Sequence, residues 1–355
     1  MENFITNKKT CMDLEIHEQP VILGKIIEEY ISVENKVEME VPQEVSKIVL
    51  VASGSSYHCA RYGADLFGTV SDISARAIYS SEYLLKPKAP VDEGTLYIFI
   101  TQSGETSDTL RAAKRAQRLG MKILVITNNE KSSIAKIADY VINCYAGEEK
   151  SIAATKSFTA QMLCLYLLTL KYAQIKNIDV NDKIQSLKTL PYVILQTFDM
   201  SKKIKQLAGM LKKEKNFIIT ADGISYALAK EAALKIQETS YLNVTAMILG
   251  EFMHGHVAVL NNKIPLVYVS ASGVSYSSAK NLEKIKKDYN PPIYIIGRSH
   301  ERITPNFNIT IENEDPTLRM FSNAVAIQML ALEIAKKLGR NVDKPKGLVK
   351  VVKEN

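Results

Sequence analysis

Two short runs hold the residues best suited to chemistry. TQSGETSDTL (Thr101–Leu110) carries a hydroxyl or an amide on six of its ten residues. ASGSSY (Ala52–Tyr57) adds Ser53, Ser55 and Ser56 around Gly54. Each follows an apolar run and precedes a helical-looking one. Unsatisfied N–H groups at a helix N-terminus, with the helix dipole behind them, attract an anion. Small hydroxyls add donors there without bulk. A single N-cap accounts for one or two such residues. It does not account for Ser53, Ser55, Ser56, Thr101, Ser103, Thr106, Ser107 and Thr109 together. The two turns are therefore expected to grip a phosphate, with Gln102 adding an amide donor. Neither G-x-x-x-x-G-K-S/T nor G-x-G-x-x-G occurs. The expected ligand is thus a phosphorylated small molecule rather than ATP or NAD.

A second set lies further along. EAALKIQETSYL (Glu231–Leu242) spaces Lys235 and Glu238 three apart, on one face if the segment is helical. Taken alone, such a pair reads as an exposed salt bridge of little consequence. GEFMHG (Gly250–Gly255) holds His254, with His256 just beyond. An imidazole exchanges protons near neutrality. No acidic or cysteine cluster accompanies the two histidines to suggest zinc. Cys11, Cys59, Cys144 and Cys164 have no C-x-x-C spacing and read as reduced thiols of a cytosolic protein.

Strands and helices in alternation must position these groups. KIVLVA (Lys47–Ala52), LYIFI (Leu96–Ile100), KILVIT (Lys122–Thr127) and YVINC (Tyr140–Cys144) are strand-like, and HCARYGADLF, RAAKRAQRL and SSIAKIA between them are helix-like. NFIIT (Asn216–Thr220), PLVYVSA (Pro265–Ala271) and PIYIIG (Pro292–Gly297) repeat the pattern. Short apolar strands separated by helices predict an α/β fold with doubly wound parallel sheets and helices on both faces. Ala52–Tyr57 aligns with Ala221–Tyr226 at an offset of 169, which also sets Ser103-Gly104 on Ser272-Gly273 and Thr106 on Ser275. Two turns agreeing on one offset predict an internal duplication. The expected organisation is a helical arm over 1–45, a first domain over 46–175, a helical connector over 176–200 broken at Pro191, a second domain over 201–336, and a tail over 337–355. The second copy carries Asp222 and Ile224 at its first turn, which disfavour an anion. The phosphate is expected in the first.

Composition sets the outer bounds. The chain has 355 residues, 46% of them apolar and 23% charged, with a net charge of +7. The basic residues are scattered among acids, as in KKIKQLAGMLKKEKN, so no nucleic-acid partner is expected. AQMLCLYLLTL (Ala160–Leu170) is too short to span a membrane and reads as a core helix. The polar, acidic N-terminus is not expected to act as a signal peptide. The expectation is a cytoplasmic protein with no membrane partner.

Gly54–Ser56 and TQSGETSDTL resemble the phosphosugar-binding signatures of SIS (sugar isomerase) domains. EIHEQP (Glu15–Pro20), EAALKIQETSYL, GEFMHG and NVDKPKGLVKVV (Asn341–Val352) are similar to motifs of the isomerase half of the glucosamine-6-phosphate synthase family. The resemblance implies two tandem SIS domains and a sugar phosphate held by Ser55, Ser56, Thr101, Gln102, Ser103 and Thr106. It implies further sugar contacts from Ala153 and Thr155, in the element that reads Ala153-Ala154-Thr155-Lys156 here. It implies Glu238 as the catalytic carboxylate, Lys350 or Lys235 as the cation for a developing oxyanion, and His254 as the ring-opening group. In that family the histidine comes from the other subunit, so a homodimer is implied. Aldose–ketose interconversion suits this set. A proton moves between C1 and C2 through a cis-enediol or enolamine, and neither metal nor redox cofactor is needed.

The motifs also differ from the family at points. Ala154 stands where the family has a sugar-holding serine, Met253 and His256 flank His254, and Asn243-Val244-Thr245 replaces a His-Ala-Glu run. The chain opens Met-Glu-Asn, without the N-terminal cysteine of a glutaminase, so no glutamine-dependent amidotransfer is expected. Three functions fit: a phosphosugar isomerase, an aminosugar-phosphate deaminase or fructosamine-6-phosphate deglycase, and a non-catalytic sugar-phosphate sensor. The joint presence of Glu238, His254 and Lys350 favours an enzyme.

Overall fold

The computed structural model describes residues 9–86, 93–313 and 315–350. Among these, ten strands form two parallel sheets. The first comprises β1 (Lys47–Ala52), β2 (Ser74–Tyr79), β3 (Thr95–Thr101), β4 (Lys122–Thr127) and β5 (Tyr140–Asn143), in the order β2-β1-β3-β4-β5. The second comprises β6 (Asn216–Ala221), β7 (Asn243–Ile248), β8 (Leu266–Ser270), β9 (Ile293–Gly297) and β10 (Phe307–Ile309), in the order β10-β9-β8-β6-β7. Read from the other edge, that is the first order again. Both ends of β6 lie 169 residues beyond those of β1, and both ends of β7 lie 169 beyond those of β2.

Every strand side chain points to the face opposite its neighbour's, so a sheet covered on both sides needs continuous apolar runs. In β1, Ile48, Leu50 and Ala52 enter one core while Val49 and Val51 enter another. The second core is closed by Ala112, Ala113 and Ala116 of the helix Ser107–Arg118. The first is shared with the second sheet, whose Phe217, Ile219, Val267 and Val269 join it. Four helices fill this common layer: Gly54–Val70, Lys156–Ile175, Tyr226–Ser240 and Pro316–Lys337. Pro316–Lys337 is long and apolar enough to cross a membrane by length and composition, but 94% of its apolar window is buried inside the protein.

The strands missed by the apolar pattern are β2, β7 and β10, which lie at sheet edges. Each has one neighbour, and β2 and β7 keep several partly exposed residues, so a continuous apolar run is not demanded there. SSIAKIA forms only a 3₁₀ turn at Ala135–Ile137. Its upstream donors go elsewhere: Ser133 N–H donates to Glu105 Oε1 (2.7 Å) and Ile134 N–H to the Gly104 carbonyl. The arm forms helices Cys11–His17 and Gln19–Tyr30. The connector forms helices Asn181–Leu187 and Leu190–Phe198, with Pro191 in the first turn of the latter, where its missing N–H costs nothing. Residues 1–8 of the arm and 351–355 of the tail, including the end of NVDKPKGLVKVV, lie outside the described residues.

Candidate active site

Strand order reverses between β1 and β3, and such a switch point opens a crevice at the strands' carboxyl ends. After β1 come Ser53 and then Ser55 and Ser56 in the first turn of the helix Gly54–Val70, and the loop after β3 holds Gln102–Thr106. Gly54 (φ +56°) and Gly104 (φ +71°) turn the chain in the left-handed region. A Cβ on Gly104 would lie 2.1 Å from Ser132 Oγ, so only glycine fits that approach.

Plain capping does not consume these hydroxyls. Ser53 and Thr106 occupy the N-cap positions of their helices, yet neither side chain bonds its own helix terminus. Thr101 Oγ1 instead accepts from Gly104 N–H (3.3 Å) and lies 3.1 Å from Thr106 Oγ1, while Ser103 Oγ accepts from Glu105 N–H (3.1 Å). Thr109 is turned inward, 2.9 Å from Ser80 Oγ. Ser56 Oγ and the Gln102 amide bond no described residue and face a cavity of about 330 Å³. That size is at the small end of ligand pockets, which span about 300–1,000 Å³.

The other walls come from distant parts of the chain. Helix Tyr226–Ser240 contributes Lys235 and Glu238; the segment from Glu149 to Gln161 contributes Ala154, Ser157, Phe158 and Gln161; and the tail contributes Leu348, Val349 and Lys350. Lys350 Nζ donates to Glu149 Oε2 (2.5 Å) and to the Ser151 carbonyl (2.7 Å). Glu149 also accepts from Ser157 Oγ (2.7 Å) and from Thr155 N–H (2.9 Å). Burial pushes the Glu149 carboxyl up, but Lys350 and these hydrogen bonds outweigh it and hold it below its ordinary value.

Lys235 and Glu238 are not a surface pair. Lys235 is 1% exposed, and its Nζ donates to Glu238 Oε2 at 2.5 Å and lies 3.6 Å from Glu231 Oε1. Glu231 is fully buried, accepting from Ser55 Oγ (2.9 Å) and contacting His58 Nδ1 (2.7 Å). A line of ionisable groups thus runs from His58 through Glu231 and Lys235 to Glu238. Burial pushes Glu231 up, but Lys235 and the bonds from His58 and Ser55 prevail and lower it. Burial pushes Lys235 down, but Glu231 and Glu238 prevail and raise it. Glu238 keeps Oε1 free of hydrogen bonds from described residues, at the cavity wall.

Of the residues expected in the site, Ser55, Ser56, Thr101, Gln102, Ser103, Thr106, Lys235, Glu238 and Lys350 all line this cavity. Ala153 and Thr155 do not. Both are fully buried behind the wall, because Thr155 N–H is drawn onto Glu149, and Ala154 is the one that faces inward. His254 lies outside the cavity too, exposed in the turn after the short helix Leu249–Phe252. The hydroxyl of Ser55 is committed to Glu231, so only its lone pairs remain for a ligand. The residues around the candidate site to which the sequence assigns no role are His58, Glu149 and Glu231. Their partners are 173 and 201 residues away, so no local spacing could pair them. The sole local signal was the i, i+4, i+7 spacing of Glu231, Lys235 and Glu238 on one helix face.

The second copy keeps the turn geometry but not the cradle. Gly223 and Gly273 are left-handed like Gly54 and Gly104. Asp222 Oδ2, however, takes the hydroxyl protons of Tyr268 (3.1 Å) and Ser278 (2.8 Å). A carboxylate sits where the first copy offers donors. Among the described residues, no group of three or more His, Cys, Asp or Glu is placed to hold a metal.

A model of the SIS domain matches residues 43–171 and 210–336. A glutamine–fructose-6-phosphate aminotransferase (isomerizing) of Campylobacter jejuni is 32% identical over 347 residues, spanning 96% of this chain and 58% of that protein. The chain therefore spans about three-fifths of the length of such curated relatives. The solved C-terminal domain of glucosamine-fructose-6-phosphate aminotransferase from Francisella tularensis superposes with a TM-score of 0.88 at 23% identity, covering 96% of this chain and 99% of that one. Glucosamine-6-phosphate deaminase from Thermotoga maritima superposes with a TM-score of 0.77 at 23% identity, covering 97% and 100%.

Proposed function

We propose, for a chain that belongs to the SIS domain family, that it is a phosphosugar isomerase. It would move a proton between C1 and C2 of a ketose, aldose or aminosugar 6-phosphate through a cis-enediol or enolamine. The observation that carries this is one cavity that joins a hydroxyl-rich double turn to a carboxylate and an ammonium on facing walls. Ser56, Gln102, Ser103 and Thr106 supply donors for the phosphate at two helix N-termini. Lys235 fixes Glu238 through Oε2, and Oε1 takes the proton from one carbon and returns it to the next. Lys350, with Glu149 and the Ser151 carbonyl holding two of its three donors, turns the third to the carbonyl oxygen as negative charge develops. His254 of the partner subunit opens the ring, in a homodimer that completes the site.

The test is a panel of hexose, hexosamine and fructosamine 6-phosphates, with sugar products and ammonia scored separately. Interconversion of a ketose and an aldose phosphate, abolished in Glu238→Gln, is the expected result. Ammonia release would move the assignment to deamination by the same enolamine. Binding without turnover of any member would leave a sensor and overturn the isomerase.

A further inference from the structure

Gln161 is a polar side chain that no described residue satisfies. It is 2% exposed and lies in the second turn of the helix Lys156–Ile175, one of the most apolar segments of the chain. Neither amide atom bonds any described residue, and Oε1 is buried without a partner. Leaving such a group unpaired costs stability, whereas leucine of similar size would cost nothing. Ala154, Ser157, Phe158 and Gln161 fall at i, i+3, i+4 and i+7 and all line the cavity. A methyl and a phenyl ring offer no hydrogen bond, and the hydroxyl proton of Ser157 goes to Glu149. Among the described residues of this wall, Gln161 alone keeps an uncommitted side-chain donor beside an uncommitted acceptor.

The chemistry of the amide indicates what it meets. It offers a donor at Nε2 and an acceptor at Oε1, two positions that a half-turn of the amide interchanges. A phosphate oxygen would use only the donor, and the donor-rich turns already serve it. A hydroxyl uses both, because it accepts and donates at once. We propose that Gln161 is a specificity-determining residue that reads one hydroxyl of the bound sugar phosphate. The proposal rests on the phosphosugar assignment above. Unlike the phosphate cradle, it concerns the carbon skeleton and separates sugars that carry a hydroxyl at that position from those that lack it.

The experiment compares wild type with Gln161→Leu and Gln161→Glu. Calorimetric binding and turnover are measured with a hexose 6-phosphate, its monodeoxy analogues and inorganic phosphate. In wild type one deoxy analogue should bind about tenfold more weakly than the parent, the scale of one lost hydrogen bond. In Gln161→Leu the parent should weaken by about that factor, the preference over the deoxy analogue should vanish, and phosphate should bind unchanged. Thermal stability of Gln161→Leu should equal or exceed wild type. Should Gln161→Leu fail to fold, Gln161→Glu keeps the shape and must still alter the same preference. Equal weakening toward inorganic phosphate, or an undiminished preference in both variants, overturns the proposal while leaving the isomerase reading standing. Wild type that binds phosphate but no sugar phosphate overturns both.

Discussion

Replacing Lys235 with methionine distinguishes a buried charge network from an ordinary helix pair. At a surface, an i,i+3 pair contributes under about 1 kcal/mol and its loss is hard to detect. Here Lys235 is 1% exposed, Glu231 is fully buried, and the side chain of Glu238 is 22% exposed. At an effective dielectric of about 20, unit charges 3.6 Å apart attract by about 4.6 kcal/mol, and Lys235 has a second carboxylate at 2.5 Å. Methionine fills the space but leaves two carboxylates facing each other, one of them with no water. Loss of one partner of a buried pair costs about 3–5 kcal/mol. Lys235→Met should therefore lower the unfolding free energy by about that much in equilibrium urea titrations at pH 7. Adding Glu231→Gln should recover part of the loss, because it removes the stranded charge, and the double-mutant cycle should show a coupling above about 1 kcal/mol. A loss under about 1 kcal/mol, or strict additivity of the two changes, would refute the network.

Three further outcomes are expected. Gly104→Ala forces a Cβ to within 2.1 Å of Ser132 Oγ at φ +71°, so it should cost about 2–4 kcal/mol and abolish sugar-phosphate binding; wild-type stability and affinity by urea titration and calorimetry would contradict the turn geometry. Glu149 and Glu231 both titrate below the unfolded carboxyl value of about 4.3. Each therefore contributes stability that is complete above that pH and lost as pH falls through its folded value. Urea titrations from pH 6 to pH 3 should show a fall that is shallower in Glu149→Gln, and parallel curves would count against the Lys350–Glu149 clasp. Mixing Glu238→Ala and His254→Ala chains should restore partial activity if the site is shared between subunits; no recovery, with subunit exchange confirmed, would sink that idea.

Much of the fold is already in the order of the residues. β1 and β4 coincide with KIVLVA and KILVIT, since a strand covered on both faces must be apolar throughout. The 169-residue repeat is reproduced at both ends of two strand pairs, and even the left-handed glycines recur. The two hydroxyl-rich turns are legible as lining for a cavity because they follow buried strands, and because one helix terminus needs so few caps. What the tertiary structure decided is which groups meet. Sequence spacing puts Lys235 and Glu238 on one helix face but is silent on whether that face is wet. Packing of the helix Gly54–Val70 against Tyr226–Ser240 dries it and adds His58 and Ser55 to Glu231 across the two domains. Likewise, nothing near Glu149 announces a site until the chain returns about 200 residues later and lays Lys350 on it. Periodicity reports burial along one element, whereas the sign and strength of a charge's interactions depend on what the rest of the chain brings within a few ångströms and how much water it removes.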